Sequence, residues 1–244
     1  MKKLLSIAAL TALMATASYA DIARVEMGAG AWMQTPSGSA NYNATAGGSN
    51  TVDKTQQTSA YIWAFVKHPI PVLPNFRAEY TSISSTGVAS GTWGSVTATG
   101  KSSLDMQQID VVPYYNILDN TFWTTLDLGV DVKIVDLNFK VDGASSTYEY
   151  KKSLPIPMGY ARARVQIPTT GIGVEADVKY LAYGSSTFSD TRAKIDYTFK
   201  SFPIIQPAIE VGYRTQKLKI DASSTDIKTD IDFSGFFAGI MARF

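Results

Sequence analysis

Apolar and polar side chains alternate with a period of two along most of this 244-residue chain. That is the pattern of β-strands whose two faces meet different surroundings. From Ile22 onward one face reads Ala23, Val25, Met27, Ala29, Ala31, Met33, and the other Arg24, Glu26, Gly28, Gly30, Trp32, Gln34. Nine more strands are predicted at about residues 58–67, 76–84, 104–116, 125–141, 148–167, 172–180, 192–199, 209–214 and 230–244. The second of the ten is ambiguous, because Tyr61, Trp63 and Phe65 oppose an equally apolar Ile62, Ala64 and Val66. In the fifth, Leu126, Leu128, Val130, Val132 and Ile134 hand the apolar role to Val135, Leu137, Phe139 and Val141, a shift that a β-bulge would explain.

The connections alternate in kind. Segments 35–57, 85–102, 142–147, 184–190 and 221–229 are rich in Ser, Thr, Gly and Asp, and the first two are long. Segments 68–75, 117–120, 168–171 and 202–207 are short and mostly prolyl. An even strand count with long loops on one side and tight turns on the other predicts an all-β chain. The expected form is a closed antiparallel up-and-down transmembrane barrel of about ten strands, both termini on the short-turn side.

Alternation alone does not separate such a barrel from a soluble one with its apolar face turned inward. The charges do. Arg24 and Glu26, Arg77 and Glu79, Asp127, Asp131 and Lys133, Arg162 and Arg164, Glu175, Asp177 and Lys179, and Arg192, Lys194 and Asp196 all lie on polar faces. The apolar stripes carry no charge, as a lipid-facing surface requires, where Arg or Lys at midplane costs about 2–4 kcal/mol. Opposite charges on the inner face are expected to neutralise one another across a narrow lumen.

Composition adds an address. Lys2 and Lys3, an apolar run from Leu4 to Ala17 and the small-residue stretch Ala17-Ser-Tyr-Ala20 form a secretory signal peptide, expected over residues 1–20 with the barrel over 21–244. With no cysteine, no disulfide holds the chain and no lipid is expected on its mature end. Basic and acidic residues number 22 and 21, which gives no reason to expect nucleic acid. A mean hydropathy near zero resembles that of soluble proteins, but barrels average out in the same way.

The last strand ends on Phe244, after Phe236, Ala238, Ile240 and Ala242 on one face. It resembles the C-terminal signature of Gram-negative outer-membrane β-barrels, which their insertion machinery reads as an assembly signal. With the turn His68-Pro-Ile-Pro-Val-Leu-Pro-Asn75, it is similar to a largely uncharacterised family of small outer-membrane barrels. The resemblance implies a location in the cell outer membrane, with outer-membrane lipid, lipopolysaccharide and the insertion machinery as partners. It says nothing of oligomeric state.

Candidate chemistry is sparse. Ten-stranded barrel proteases and barrel lipases need a histidine base at the outer or membrane-facing rim. The single histidine, His68, falls in a periplasmic turn, so no enzymatic activity is expected. Asp127 with Asp131, or Glu175 with Asp177, has the composition of a cation or acid–base pair, but arginines on the same faces make lumen ion pairs the better reading. No cofactor or metal is expected. Trp93 and Phe188, both in loops, are the aromatic candidates for contact with a partner. Two functions remain open: a structural or surface-interaction barrel with a charge-filled lumen, or a narrow porin-like channel for small solutes. Deleting Phe244 should lower the heat-modifiable, folded fraction recovered from outer membranes; normal assembly of the deletion refutes its role as assembly signal.

Overall fold

The computed structural model describes residues 23–42, 47–70, 72–93, 96–97, 99–143, 147–201, 204–220 and 227–244. The expected signal segment lies outside them. The strands are β1 (Arg24–Tyr42), β2 (Ser49–Val52), β3 (Gln57–Lys67), β4 (Asn75–Ser90), β5 (Thr92–Trp93), β6 (Val96–Thr97), β7 (Gly100–Thr121), β8 (Thr124–Asp142), β9 (Thr147–Gln166), β10 (Ile172–Tyr183), β11 (Ser186–Thr198), β12 (Gln206–Ile220) and β13 (Ile227–Arg243). Ten of them, all but β2, β5 and β6, are the staves of a closed barrel in which each pairs antiparallel with its neighbours and β13 returns to β1. Closure runs from Glu26↔Arg243 to Tyr42↔Ile227. Below it, the Phe244 amide donates to the Val25 carbonyl at 2.9 Å. No edge is left along the membrane-spanning part, as hydrocarbon demands.

The outer face shows why a membrane is needed. Leu128, Val130 and Val132 on β8, Ile209 and Val211 on β12, and Phe236 and Ile240 on β13 are all exposed. On β8, β10, β12 and β13 this band spans about nine residues, near the 9–11 that cross a bilayer. Tyr80, Tyr180, Tyr213 and Phe236 stand at its upper margin and Phe76, Phe122, Trp123, Tyr197 and Phe199 at its lower one. These are the two aromatic girdles of a membrane barrel.

Several staves run well past the band. β7 has 22 residues and β9 has 20. Much of the expected loops 35–57 and 85–102 is therefore strand: β1 continues to Tyr42, β2 adds a short rung between β1 and β4, and β4 reaches Ser90. Their Ser, Thr, Gly and Asn content follows from water outside that level. The expected turn 117–120 is also strand, and the reversal falls at Phe122 and Trp123, which take positive φ angles of 51° and 63°. The expected loop 184–190 contracts to Gly184 and Ser185, with Gly184 at φ 58°.

The expected bulge in the fifth strand does not occur. β8 keeps one register with β9 from Thr124↔Val165 to Asp142↔Thr147. Val135, Phe139 and Val141 are buried inside the barrel, and Asp136, two residues beyond Ile134 on the outer face, is exposed. The alternation is unbroken; what changes is the medium on each side. Outside, lipid gives way to water. Inside, charge gives way to an apolar core.

This orientation is open to test. A cysteine replacing Ser49 should react with an impermeant maleimide on whole cells, and one replacing Thr169 only after the outer membrane is opened. The reverse pattern refutes the orientation.

Candidate functional site

The inward positions of the staves gather Arg77, Lys133, Arg162, Arg164, Lys179, Arg192, Lys194, Arg214 and Arg243, all buried. Against them stand Glu26, Glu79, Asp110, Asp127, Asp131, Glu175, Asp177, Asp190, Asp196 and Glu210, buried likewise. Arg24, partly exposed at the lower mouth, adds one more cation against Glu26.

At the base, Arg243 reaches Glu26 at 2.9 Å and Asp196 at 2.8 Å, and Arg164 joins Asp196 at 3.0 Å and Glu175 at 3.4 Å. Arg162 bridges Asp127 at 2.7 Å and Glu175 at 3.2 Å. Higher up, Arg192 takes Asp177 and Glu79, each at 2.9 Å, and Arg77 also pairs with Glu79. Lys179 lies 3.1 Å from Glu79 and 3.0 Å from Asp110. Lys133 lies 2.6 Å from Asp110 and 3.2 Å from Asp190, which Arg214 also holds at 2.6 Å. Lys194 sits 2.8 Å from Glu210.

Many of these contacts span the bore. β4 and β11 are opposite walls, joined by Arg192 and Glu79; β7 and β12 are opposite walls, joined by Gln216 donating to Gln108 at 2.8 Å. Aromatic rings fill what the charges leave. Tyr61 and Trp63 turn inward and donate to Glu210 at 2.9 and 3.0 Å, which settles the ambiguous second strand. The Lys194 ammonium lies 4.6 Å from the Trp63 ring centre, and the Arg214 guanidinium 4.8 Å from that of Trp32. Tyr61 reaches Glu210 by crossing the Gly30↔Gly239 pair, where a Cβ on Gly30 would stand 2.5 Å from its hydroxyl. That close approach is why the inner faces of β1 and β13 are rich in glycine.

Thus each charged residue singled out in the sequence points inward, but they are not all equally paired. Asp131 is the exception: it makes no ion pair among the described residues and lies against the Asp110 carboxyl, to which Lys133 and Lys179 both turn. Asp110, Glu210, Arg214 and Arg243 lie outside the charge clusters of the sequence, yet each is legible from the parity of its own strand. Asp190, expected in a loop, continues the Arg192, Lys194, Asp196 series by one more step.

The two aromatic residues expected to contact a partner are buried instead. Trp93 folds with the β5–β6 hairpin onto Phe139 and Tyr148, with ring centres 5.2 and 6.0 Å apart. Phe188 faces inward under Lys133, because β11 begins before it. His68 serves its own turn: its Nδ1 accepts from the Ile70 amide at 3.1 Å and its Nε2 lies 2.9 Å from the Pro74 carbonyl.

The class this architecture defines is the closed antiparallel transmembrane β-barrel. The chain is similar in fold to the outer membrane protease OmpT from Escherichia coli, with a TM-score of 0.56 and 10% identity over 91% of this chain and 96% of that one. The translocator domain of the autotransporter NalP from Neisseria meningitidis aligns over 100% of this chain and 98% of that one, at 11% identity and a TM-score of 0.42. No family model matches the sequence, nor does any curated protein, so the resemblance of the proline turn to one particular family has no family model behind it.

The pairing makes an energetic prediction. Replacing Glu79 with Ala takes one carboxylate from each of Arg77, Lys179 and Arg192 in the bore and should cost about 3–5 kcal/mol in reversible urea unfolding from lipid. Asp131→Asn removes a carboxyl that no cation holds, and should change stability by less than about 1 kcal/mol. Equal losses for the two variants refute the assigned pairing.

Proposed function

We propose that this chain is an integral barrel of the Gram-negative outer membrane whose lumen is closed by charge, serving as a structural or surface-interaction protein rather than as an open pore. The observation that carries this reading is the chain of ion pairs across the bore, above all Arg192 to Glu79 between opposite walls. Ions desolvated to this degree stay charged only while paired, and opening a water path would break several pairs at once. The raised polar rim formed by β1, β2, β4, β7, β8 and β9 is what such a barrel displays to the outside. Its girdles suit outer-membrane lipid and lipopolysaccharide, and its last strand, ending on Phe244, is what the insertion machinery would engage. The reading includes no catalysis, since the lone His68 is spent on turn geometry at the end away from that rim.

Refolded wild-type protein in planar bilayers should show weak or no steady conductance. The double substitution Arg162→Ala with Arg164→Ala should open a cation-selective path, because Asp127 loses its cation, Glu175 loses its two nearest cations and Asp196 keeps only Arg243. A wild-type barrel that conducts steadily, at a level the double substitution leaves unchanged, favours the narrow-channel reading.

A further inference from the structure

Above the charged layer the inner faces turn apolar and do not quite meet. A cavity of about 110 Å³ remains, walled by Leu104, Leu137, Phe139 and Leu154 on one side and by Leu218 and Ile231 on the other. A cavity of similar character, about 150 Å³ and lined by Leu, Ile and Phe, stays dry and takes up benzene. This one is somewhat smaller, so a single ring or a short alkyl group matches it and a long acyl chain does not.

The wall beside it is low. β9 and β10 pair only from Gly173↔Gln166 to Tyr180↔Gly159, whereas β9 begins at Thr147 and goes on pairing with β8 throughout. Pro155 and Pro157 lie immediately above the last rung. Lacking N–H groups, they cannot extend a ladder to β10. The β10–β11 hairpin therefore turns back at Gly184 and Ser185, and no residue of either strand lines the cavity among the described residues. β9 and β12 face each other across this gap and both contribute to the lining. At its edge stands Lys152, exposed and without an ion pair among the described residues, although Lys140 and Lys151 next to it share Glu149.

We propose that this vestibule is a binding site for a small amphiphile, its apolar part of about six to eight heavy atoms seated between β9 and β12 and its anionic head at Lys152, reached over the low β10–β11 wall. The apolar lining gives the affinity. Lys152, the cation of this lining, gives a modest preference for a negative head. The inference uses the closed bore only as a floor.

The full mature barrel, refolded in lipid nanodiscs, should broaden the fluorine resonance of 4-fluorobenzoate saturably at millimolar concentration, beyond the effect of empty discs, with unlabelled benzoate competing. Lys152→Gln should weaken binding about threefold and remove most of its salt dependence, and 4-fluorobenzyl alcohol should bind the wild type about as weakly. Leu218→Trp or Leu154→Trp, on facing walls, should abolish binding while heat-modifiable migration shows the barrel folded; either variant suffices. Absence of saturable broadening in the wild type, or binding retained by a folded, filled variant, overturns the proposal. Conductance is read separately, so a conducting barrel that still binds the probe refutes the closed-bore reading alone, and a silent barrel that does not bind refutes this one alone.

Discussion

The ladder between β1 and β13 is the contact on which the rest depends. Until it forms, the ten staves are an open sheet whose inner face presents charges to water and whose outer face has no solvent to suit it. Closing the sheet encloses those charges in a space too narrow for each to keep its hydration. They must then find one another, and the short ion pairs between facing walls follow from that confinement. The order runs from backbone hydrogen bonds to lumen electrostatics, and the residues of the closing ladder reflect it. Gly28, Gly30 and Gly239 leave room for the inward rings of Trp63 and Tyr61, and Arg243 links the last strand to Glu26 and Asp196.

Three layers stack inside the barrel. The lowest is the charged belt from Arg243 to Arg214, threaded with Trp63, Tyr114 and Tyr160. Above it Gln108 and Gln216 meet across the bore. The upper layer is an apolar core of Ile83, Met106, Val135, Phe139 and Phe233, covered by Trp93. The membrane band surrounds the lower part, while the apolar core lies at the level where the outside is aqueous. A soluble protein core thus sits directly on a membrane barrel, and the small vestibule lies where the two fail to fill the enclosed volume.

The asymmetry of the rim has a local cause. Staves such as β7 and β9 rise far above the band, but β10 and β11 stop near it, since two prolines on β9 deny them a partner. An otherwise even cylinder acquires a low side from two missing donors.

Much of this was written in the sequence. The period-two alternation set the ten staves, the uncharged stripes identified the lipid face, and parity alone assigned Arg162, Glu175, Asp177 and Arg192 to the interior, because side-chain direction in a strand is a local property. What parity cannot carry is distance across a closed sheet. That Arg192 meets Glu79, that Asp131 is left without an ion pair, and that Tyr61 rather than Ile62 turns inward depend on which wall faces which, and so on closure and stagger. The same limit explains the loops: Ser- and Gly-rich segments such as 35–42 have the composition of coil, yet they are strand because a neighbouring stave continues beside them. Composition reports the solvent a residue meets. Only the tertiary structure decides whether a partner strand is there to pair with it.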